Sequence, residues 1–300
     1  MNFPGNLNGR VIHLIIVTVF SLFCPAGLSA QDKFELEKRG GHYYFTATVN
    51  DTPVELMLES GVPALLVGRS VYESCLESSD LAFQSSKQNI RLLNNLYDIV
   101  FKAEGEVRIA GIIYDGPIFI LEGYEGASVP VQYLKDPVSR RAVLTIDLKN
   151  NYMRVGDVQD VSIKKKYKLS FDENLGFPVV TGTIRLDTPE GRAKLKGGLI
   201  VDFGNPSLLF LMKQHKSLSK AIGKGTIGLK DAFDRQGNLV AQGIYALAVS
   251  MFGQTHHDIS IGVTDKMKKI EQLGFLGTPF FTSPVVFDFD RGMMCLVTFL

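Results

Sequence analysis

"ELMLESGVPALL" (residues 55–66) and "GLIVDFGNPSLL" (residues 198–209) repeat one pattern, and the offset between matching positions is constant along both segments. In each segment three apolar residues precede an acid, Glu59 or Asp202, and a glycine follows the acid after one intervening residue. The apolar residues predict the end of a buried strand, and the glycine allows a tight chain reversal that other residues resist. The repeat therefore predicts two acid-bearing loops of similar structure.

A second pair of similar segments indicates that the whole chain is internally duplicated. "TIDLKNNYMRV" (residues 145–155) and "VFDFDRGMMCLV" (residues 286–297) both predict a closing hairpin, and the separation of their aspartates, Asp147 and Asp288, is nearly that of the two acids. Two landmarks in the same order at nearly the same spacing indicate copies of roughly 115 to 130 residues.

The remaining sequence favours strands. "HYYFTATVNDTPVELMLE" (residues 42–59) alternates polar with apolar residues and is rich in β-branched and aromatic side chains, which is typical of a hairpin. Helix is expected only over residues 68–78 and 206–222, one segment after each acid. We therefore predict an all-β fold.

The duplication divides this all-β fold into two barrel-like lobes related by pseudo-symmetry, with a cleft between them. We expect lobe one over residues 34–158 and lobe two over residues 168–300. The lysine-rich segment between them, residues 159–167, is expected to be a solvated linker.

The N-terminus predicts a secretory signal peptide over residues 1–30. Its apolar stretch, residues 11–23, is short for a membrane span, and cleavage is expected after Ala30. A lipid anchor at Cys24 is disfavoured because the bulky Phe23 precedes it, and an uncleaved anchor is the remaining alternative. We expect an exported protein, periplasmic or extracellular, with no transmembrane segment after signal removal.

Charge and cysteine content exclude some classes of function. The net charge is +1, and it falls to zero without the first 30 residues, so nucleic acid is not an expected partner. Cys75 and Cys295 remain after cleavage; a disulfide is permitted outside the cytoplasm, but two buried free thiols are the simpler expectation.

We expect neither a cofactor nor a metal. "GKGTIG" (residues 223–228) has the glycine spacing of dinucleotide sites but lacks the preceding strand and following helix. His256 and His257 are adjacent, so on a strand they would point to opposite faces and could not bind one ion together.

The two acids themselves suggest hydrolytic chemistry. Pseudo-symmetry would bring Glu59 and Asp202 together at the lobe interface. Two carboxyls about 3 Å apart do not both ionise, so such a pair shares a proton and can activate a water for attack on an amide. The alternative is that each acid caps its own loop by accepting backbone N–H bonds.

These segments resemble the pepsin-like and retropepsin-like aspartic peptidases. The resemblance rests on "LMLESG" (residues 56–61), "LIVDFG" (residues 199–204), the two closing hairpins and "GFLGTPFF" (residues 274–281), and it covers residues 34–300. It implies an acid-protease fold whose cleft binds an extended polypeptide. It also implies a catalytic pair that works at acidic pH without a cofactor.

The resemblance assigns Glu59 and Asp202 as the catalytic pair, with Ser60, Gly61, Gly204 and Asn205 as supporting residues. The two acid loops differ from the family pattern at three positions. Glu59 replaces the usual aspartate, Phe203 replaces a bracing hydroxyl residue, and Val62 stands where a hydroxyl often follows the glycine. Two hypotheses follow: an active aspartic endopeptidase, or a degenerate pseudo-peptidase that binds extended peptide or has a structural role.

Overall fold

The computed structural model describes residues 33–92, 95–158, 161–233, 236, 239–267 and 270–300. The predicted signal peptide, its cleavage site at Ala30 and the disfavoured anchor at Cys24 lie outside these residues. The described residues belong to one compact unit, Asp32–Leu300. Within them, no helix has the length and apolar character needed to cross a membrane.

The described part of the chain is almost entirely β, which confirms the predicted fold class. Its strands are, in chain order, β1 (Lys33–Glu35), β2 (Glu37–Arg39), β3 (His42–Val49), β4 (Thr52–Glu59), β5 (Leu65–Gly68), β6 (Gln84–Leu92), β7 (Asn95–Ile109), β8 (Ile112–Leu121), β9 (Ala127–Pro130), β10 (Leu134–Lys135), β11 (Val143–Asp147), β12 (Tyr152–Val155), β13 (Val161–Phe171), β14 (Pro178–Thr188), β15 (Gly191–Val201), β16 (Leu209–Met212), β17 (Lys230–Phe233), β18 (Leu239–Met251), β19 (Gln254–Thr264), β20 (Gly274–Leu276), β21 (Val285–Asp288) and β22 (Met293–Phe299). Its helices are α1 (Arg69–Cys75) and α2 (Lys216–Gly223), with 3₁₀ turns at Val131–Tyr133 and Thr278–Phe280.

The two halves of the chain build the same ring of six strands. In the first half the order is β3-β4-β9-β5-β8-β7, and pairing of β3 with β7 closes the ring. In the second half the order is β14-β15-β20-β16-β19-β18, and pairing of β14 with β18 closes it. Each strand of the first ring thus corresponds to the strand numbered eleven higher in the second ring. Closure leaves the strands of a ring without open edges, and the ring interior is filled by apolar side chains.

A six-stranded layer, in the order β1-β12-β11-β21-β22-β13, contains the closing hairpins of both halves. At its centre β11 and β21 pair antiparallel, with Thr145 opposite Val286 and Ile146 opposite Val285. Thr145 and Val286 are separated along the chain by the same offset as Asp147 and Asp288. The register is therefore symmetric about this residue pair, as expected for strands that are copies of each other.

The helix predicted over residues 206–222 is wrong in its first half. Leu209–Met212 is strand β16, which pairs with both β19 and β20, and only Lys216–Gly223 is helical. The tertiary pairing outweighs local propensity in this apolar run. The His215 side chain accepts a hydrogen bond from the Ser217 N–H and caps the helix start. The helix predicted over residues 68–78 is present as α1.

The segment predicted as a linker is also structured for most of its length. Strand β13 begins at Val161 and pairs with β22 from Val161 to Lys168. The four lysines of β13 are exposed, as expected for a solvated segment. The backbone of β13 nevertheless belongs to the six-stranded layer. The connection between the halves therefore contributes to the sheet that joins them.

Candidate active site

Equivalent strands position the two acids. Glu59 is the last residue of β4, and Asp202 directly follows β15. Each of these strands runs parallel to a short partner inside its ring, β9 for β4 and β20 for β15. Both acids thus emerge from buried strand ends.

The backbone of each acid loop packs on the acid of the other loop. A Cβ atom added at Gly204 would lie 2.0 Å from Glu59 Oε1, and one added at Gly61 would lie 2.7 Å from Asp202 Oδ1. Both distances are shorter than real Cβ contacts, so neither position has room for a side chain. The sequence predicted these glycines for tight reversal, and the structure adds that close approach to a carboxyl requires them.

The two carboxyls lie close enough to interact with each other by charge and through a side-chain hydrogen bond, each against the glycine of the other's loop. Glu59 is 8% exposed. Its carboxyl also accepts the backbone N–H groups of Ser60 and Gly61. Asp202 Oδ1 accepts the Gly204 N–H at 3.0 Å. The two acids that the sequence singled out therefore form one hydrogen-bonded pair.

Burial raises the pKa of both acids, and the charge of Asp202 further raises the pKa of Glu59. Burial is the main cause of the raised pKa of Glu59, and the charge of Asp202 adds to it. Burial also raises the pKa of Asp202, to about 6, while the Gly204 N–H and the Glu59 proton act in the opposite direction. Both acids therefore hold a proton more tightly than isolated carboxyls do, and the pair retains a proton to a higher pH.

Ser60 braces the two loops. Its hydroxyl donates to the Val201 carbonyl at 2.8 Å and accepts the Phe203 N–H at 3.0 Å. The side chain is fully buried, so these bonds do not compete with water. Ser60 thus ties the loop of Glu59 to the residues on both sides of Asp202.

The Phe203 side chain packs in the apolar core, at a position where the family resemblance predicts a hydroxyl side chain. Its ring is fully buried and lies 5.2 Å from the Phe281 ring and 5.6 Å from the Phe287 ring, measured between centroids. It therefore occupies the core behind the loop and does not separate Glu59 from Asp202. The second loop is joined to the first by the backbone N–H of Phe203, which donates to the Ser60 hydroxyl.

The residues that follow the two glycines, Val62 and Asn205, stabilise their own loops. Asn205 Oδ1 accepts the Ser207 N–H at 3.0 Å, and the Asn205 carbonyl accepts the Thr278 N–H at 3.0 Å. Val62 is buried in a small apolar cluster with Leu66 and Ile99. Asn205 therefore supports the shape of the second loop rather than the charge of its acid.

A group of tyrosines beside Glu59 was not predicted from the sequence. The Tyr124 hydroxyl bonds to Ser128 Oγ, and after burial the nearby charges of Glu59 and Tyr44 also act to raise its pKa. The Tyr97 ring packs edge-on against Tyr124 at 5.5 Å. These residues come from separate strands and loops, so no local sequence pattern joins them.

The hairpin of β6 and β7 packs beside the first acid loop. Ile90, Leu92 and Tyr97 of this hairpin contact the apolar cluster that includes Val62. This contact places the hairpin next to the loop that carries Glu59.

Groups typical of other chemistries are not found in the described ranges. No set of three or more His, Cys, Asp or Glu side chains among these residues could hold a metal ion. Cys75 and Cys295 are both free and buried.

Comparison with known proteins supports the fold. No protein family model matches the sequence, and no curated protein matches it at a significant level. Among solved structures the chain is similar to the aspartic proteinase from Irpex lacteus, with a TM-score of 0.53 and 12% identity over 89% of this chain and 97% of that one. The chain therefore has the two-lobed, all-β fold of the aspartic proteinases.

Proposed function

We propose that this protein is an aspartic endopeptidase in which Glu59 and Asp202 share one proton and activate a water. The close approach of these two carboxyls, each packed against the glycine of the other's loop, carries the proposal. It joins residues from opposite halves of the chain, and the buried Ser60 bridge holds their loops together. A pair of acids that only capped their own loops would need neither feature.

We propose that Glu59 carries the shared proton and that Asp202 is ionised, which gives each acid its own role. Asp202, ionised, accepts a proton from the attacking water, and the resulting hydroxide adds to the carbonyl carbon of a peptide bond. Glu59, protonated, donates a hydrogen bond to the carbonyl oxygen, which becomes negatively charged as the C–O bond forms. Asp202 then gives the proton it took from water to the peptide nitrogen, the C–N bond breaks as the C=O double bond re-forms, and the pair again holds one proton.

The raised pKa values move the expected working range upward. The pair needs one proton, so activity rises as pH passes the pKa of Asp202, about 6, and falls where Glu59 loses its proton. The sequence suggested acidic conditions. The burial of this pair supports a maximum nearer neutral pH.

The substrate we propose is an extended polypeptide bound in the cleft between lobes 34–158 and 168–300. Strand-like backbone pairing suits a cleft in an all-β protein and requires no particular sequence. We further propose export to the periplasm or extracellular space, on the strength of the N-terminal pattern of residues 1–30.

A pseudo-peptidase is the second candidate, and Phe203 favours it. With a phenyl ring at this position, the second loop offers no hydroxyl to the first, so only Ser60 braces the pair. Such a protein would bind extended peptide without cutting it, or serve a structural role.

The test is cleavage of an unfolded protein by the wild type, Asp202→Asn and Glu59→Gln, assayed across pH about 3 to 8. We expect cleavage by the wild type alone. Asp51→Asn, which removes the same charge from an exposed turn, is the matched control and should cleave normally. Binding of peptide without turnover, unaffected by Asp202→Asn, would instead establish the pseudo-peptidase.

A further inference from the structure

The six-stranded layer carries an uneven distribution of charge. Its exposed charged side chains are six basic residues and one acid, Glu35; the basic ones are Lys33, Arg154, Lys164, Lys165, Lys166 and Lys168. Its other two acids, Asp147 and Asp288, are buried. The whole chain has a net charge of only +1, so this layer concentrates positive charge on one part of the molecule.

The strand register assigns several of these charges to one face. Residues directly opposite each other in neighbouring strands share a face. Following the pairs across the layer gives one row that is basic at both ends: Lys33, Arg154, Thr145, Val286, Cys295 and Lys166. Lys168, which pairs with Met293, lies on the same side, as does the exposed acid Glu35, whereas Lys165 pairs with Leu296 on the opposite side. Thr145 and Cys295 at the centre of the row are buried, and we call the exposed part of this side the basic face.

Exposed apolar side chains lie at one end of the basic face. Along β22, Cys295, Val297 and Phe299 are alternate residues and therefore point to the same face. Val161 pairs with Phe299 and Ile163 pairs with Val297, so these two residues of β13 lie on that face as well. Phe299 is 42% exposed, Ile163 is 46% exposed and the terminal Leu300 is 89% exposed.

Tyr152 connects this apolar end to the lysine at the layer's edge. Its ring lies 6.1 Å from the Phe299 ring, and Lys33 Nζ lies 4.3 Å above the Tyr152 ring. Aromatic and aliphatic groups flanked by lysines form the composition that favours the interface between lipid headgroups and acyl chains.

We propose that the basic face docks this protein on an anionic phospholipid membrane, with Phe299, Ile163 and Leu300 entering the headgroup region and Lys166 and Lys168 of β13 contacting the lipid charges. A second copy of the chain fits the face less well, because symmetric pairing would place basic surfaces opposite each other.

The test is co-sedimentation with vesicles of phosphatidylcholine alone and of phosphatidylcholine containing phosphatidylglycerol. It uses the full chain and the chain from Gln31, which retains the whole compact unit, so that residues 11–23 cannot account for binding. We expect binding to the anionic vesicles only, weakening as salt rises from about 0.1 M to about 1 M.

Two sets of variants separate the contributions of charge and of apolar contact. A lysine near an anionic membrane contributes about fivefold to affinity, so Lys166→Gln and Lys168→Gln together should weaken binding about 25-fold. The same change at Lys216 and Lys220, exposed on α2, is the control.

Phe299→Ser should weaken binding about tenfold through lost apolar burial, whereas Phe233→Ser, at a residue 59% exposed on β17, should not. Equal loss in the variants and their controls would overturn the proposal, as would equal binding to neutral vesicles or none at all. Binding of double-stranded DNA in place of vesicles, or Phe299-dependent dimerisation without vesicle binding, would also overturn it.

Discussion

Replacing Asp202 with asparagine should change how the stability of the protein depends on pH. The native state holds the pKa of this carboxyl at about 6, above its ordinary value of 3.8. Between these two values the native protein binds the proton more tightly than the unfolded chain does. The free energy of unfolding of the wild type therefore falls as pH rises through this range.

The size of the effect follows from the shift. A difference of about 2 pH units, at 1.36 kcal/mol per unit, corresponds to about 3 kcal/mol lost by the wild type between acid and neutral pH. Asparagine does not titrate, so Asp202→Asn lacks this loss. Removing the Asp202 charge also relieves one cause of the raised pKa of Glu59, and this acts in the same direction.

The assay is urea unfolding at several pH values from about 3.5 to 7, bracketing the two Asp202 pKa values. The chain has no tryptophan, so far-ultraviolet circular dichroism or the fluorescence of its ten tyrosines reports unfolding. We expect the stability of Asp202→Asn relative to wild type to rise by about 3 kcal/mol from the acid to the neutral end.

The control for this experiment is Asp51→Asn, at an exposed position in the turn between β3 and β4. It should keep the wild-type dependence on pH. Parallel pH curves for wild type and Asp202→Asn would refute the reasoning, since they would mean that burial beside Glu59 imposes no cost on the ionised carboxylate.

Three further substitutions test the support around the pair. Ser60→Ala removes a buried hydroxyl with two cross-loop bonds and should cost about 1–3 kcal/mol in urea unfolding, whereas Ser74→Ala, an exposed hydroxyl, should cost little. Gly204→Ala forces a methyl group against Glu59 and should reduce peptidase kcat/KM at least 100-fold, while Gly223→Ala, with no atom within 4 Å, should retain activity and gain about 0.5–1 kcal/mol in stability. Phe203→Ala empties a fully buried aromatic site and should cost about 3–5 kcal/mol; a smaller cost than for an exposed phenylalanine would contradict its packing role.

Local patterns in the sequence were enough to predict the all-β class and both acid loops. The three apolar residues, the acid and the glycine lie within six positions, so a short pattern contains the strand end and the turn. The nearly equal separations of the two acids and of Asp147 and Asp288 likewise predicted the duplication, and the register of β11 with β21 repeats the separation of the two aspartates.

Elements whose conformation depends on distant partners were predicted less well. Leu209–Met212 has the composition of a helix, but its pairing with β19 and β20 makes it a strand. The lysine-rich segment starting at Val161 looks like a solvated linker, yet pairing with β22 makes it part of a sheet. Nothing within either segment specifies the partner strand.

The sequence by itself determined that two acids would stand at equivalent strand ends in an all-β chain. Only the tertiary structure decided that the Glu59 and Asp202 carboxyls interact, that Ser60 reaches Val201 and that the Phe203 ring turns into the core. The physical reason is distance along the chain. Strand ends and turns follow from neighbouring residues, whereas a shared proton and a cross-loop hydrogen bond depend on groups that belong to opposite halves of the sequence.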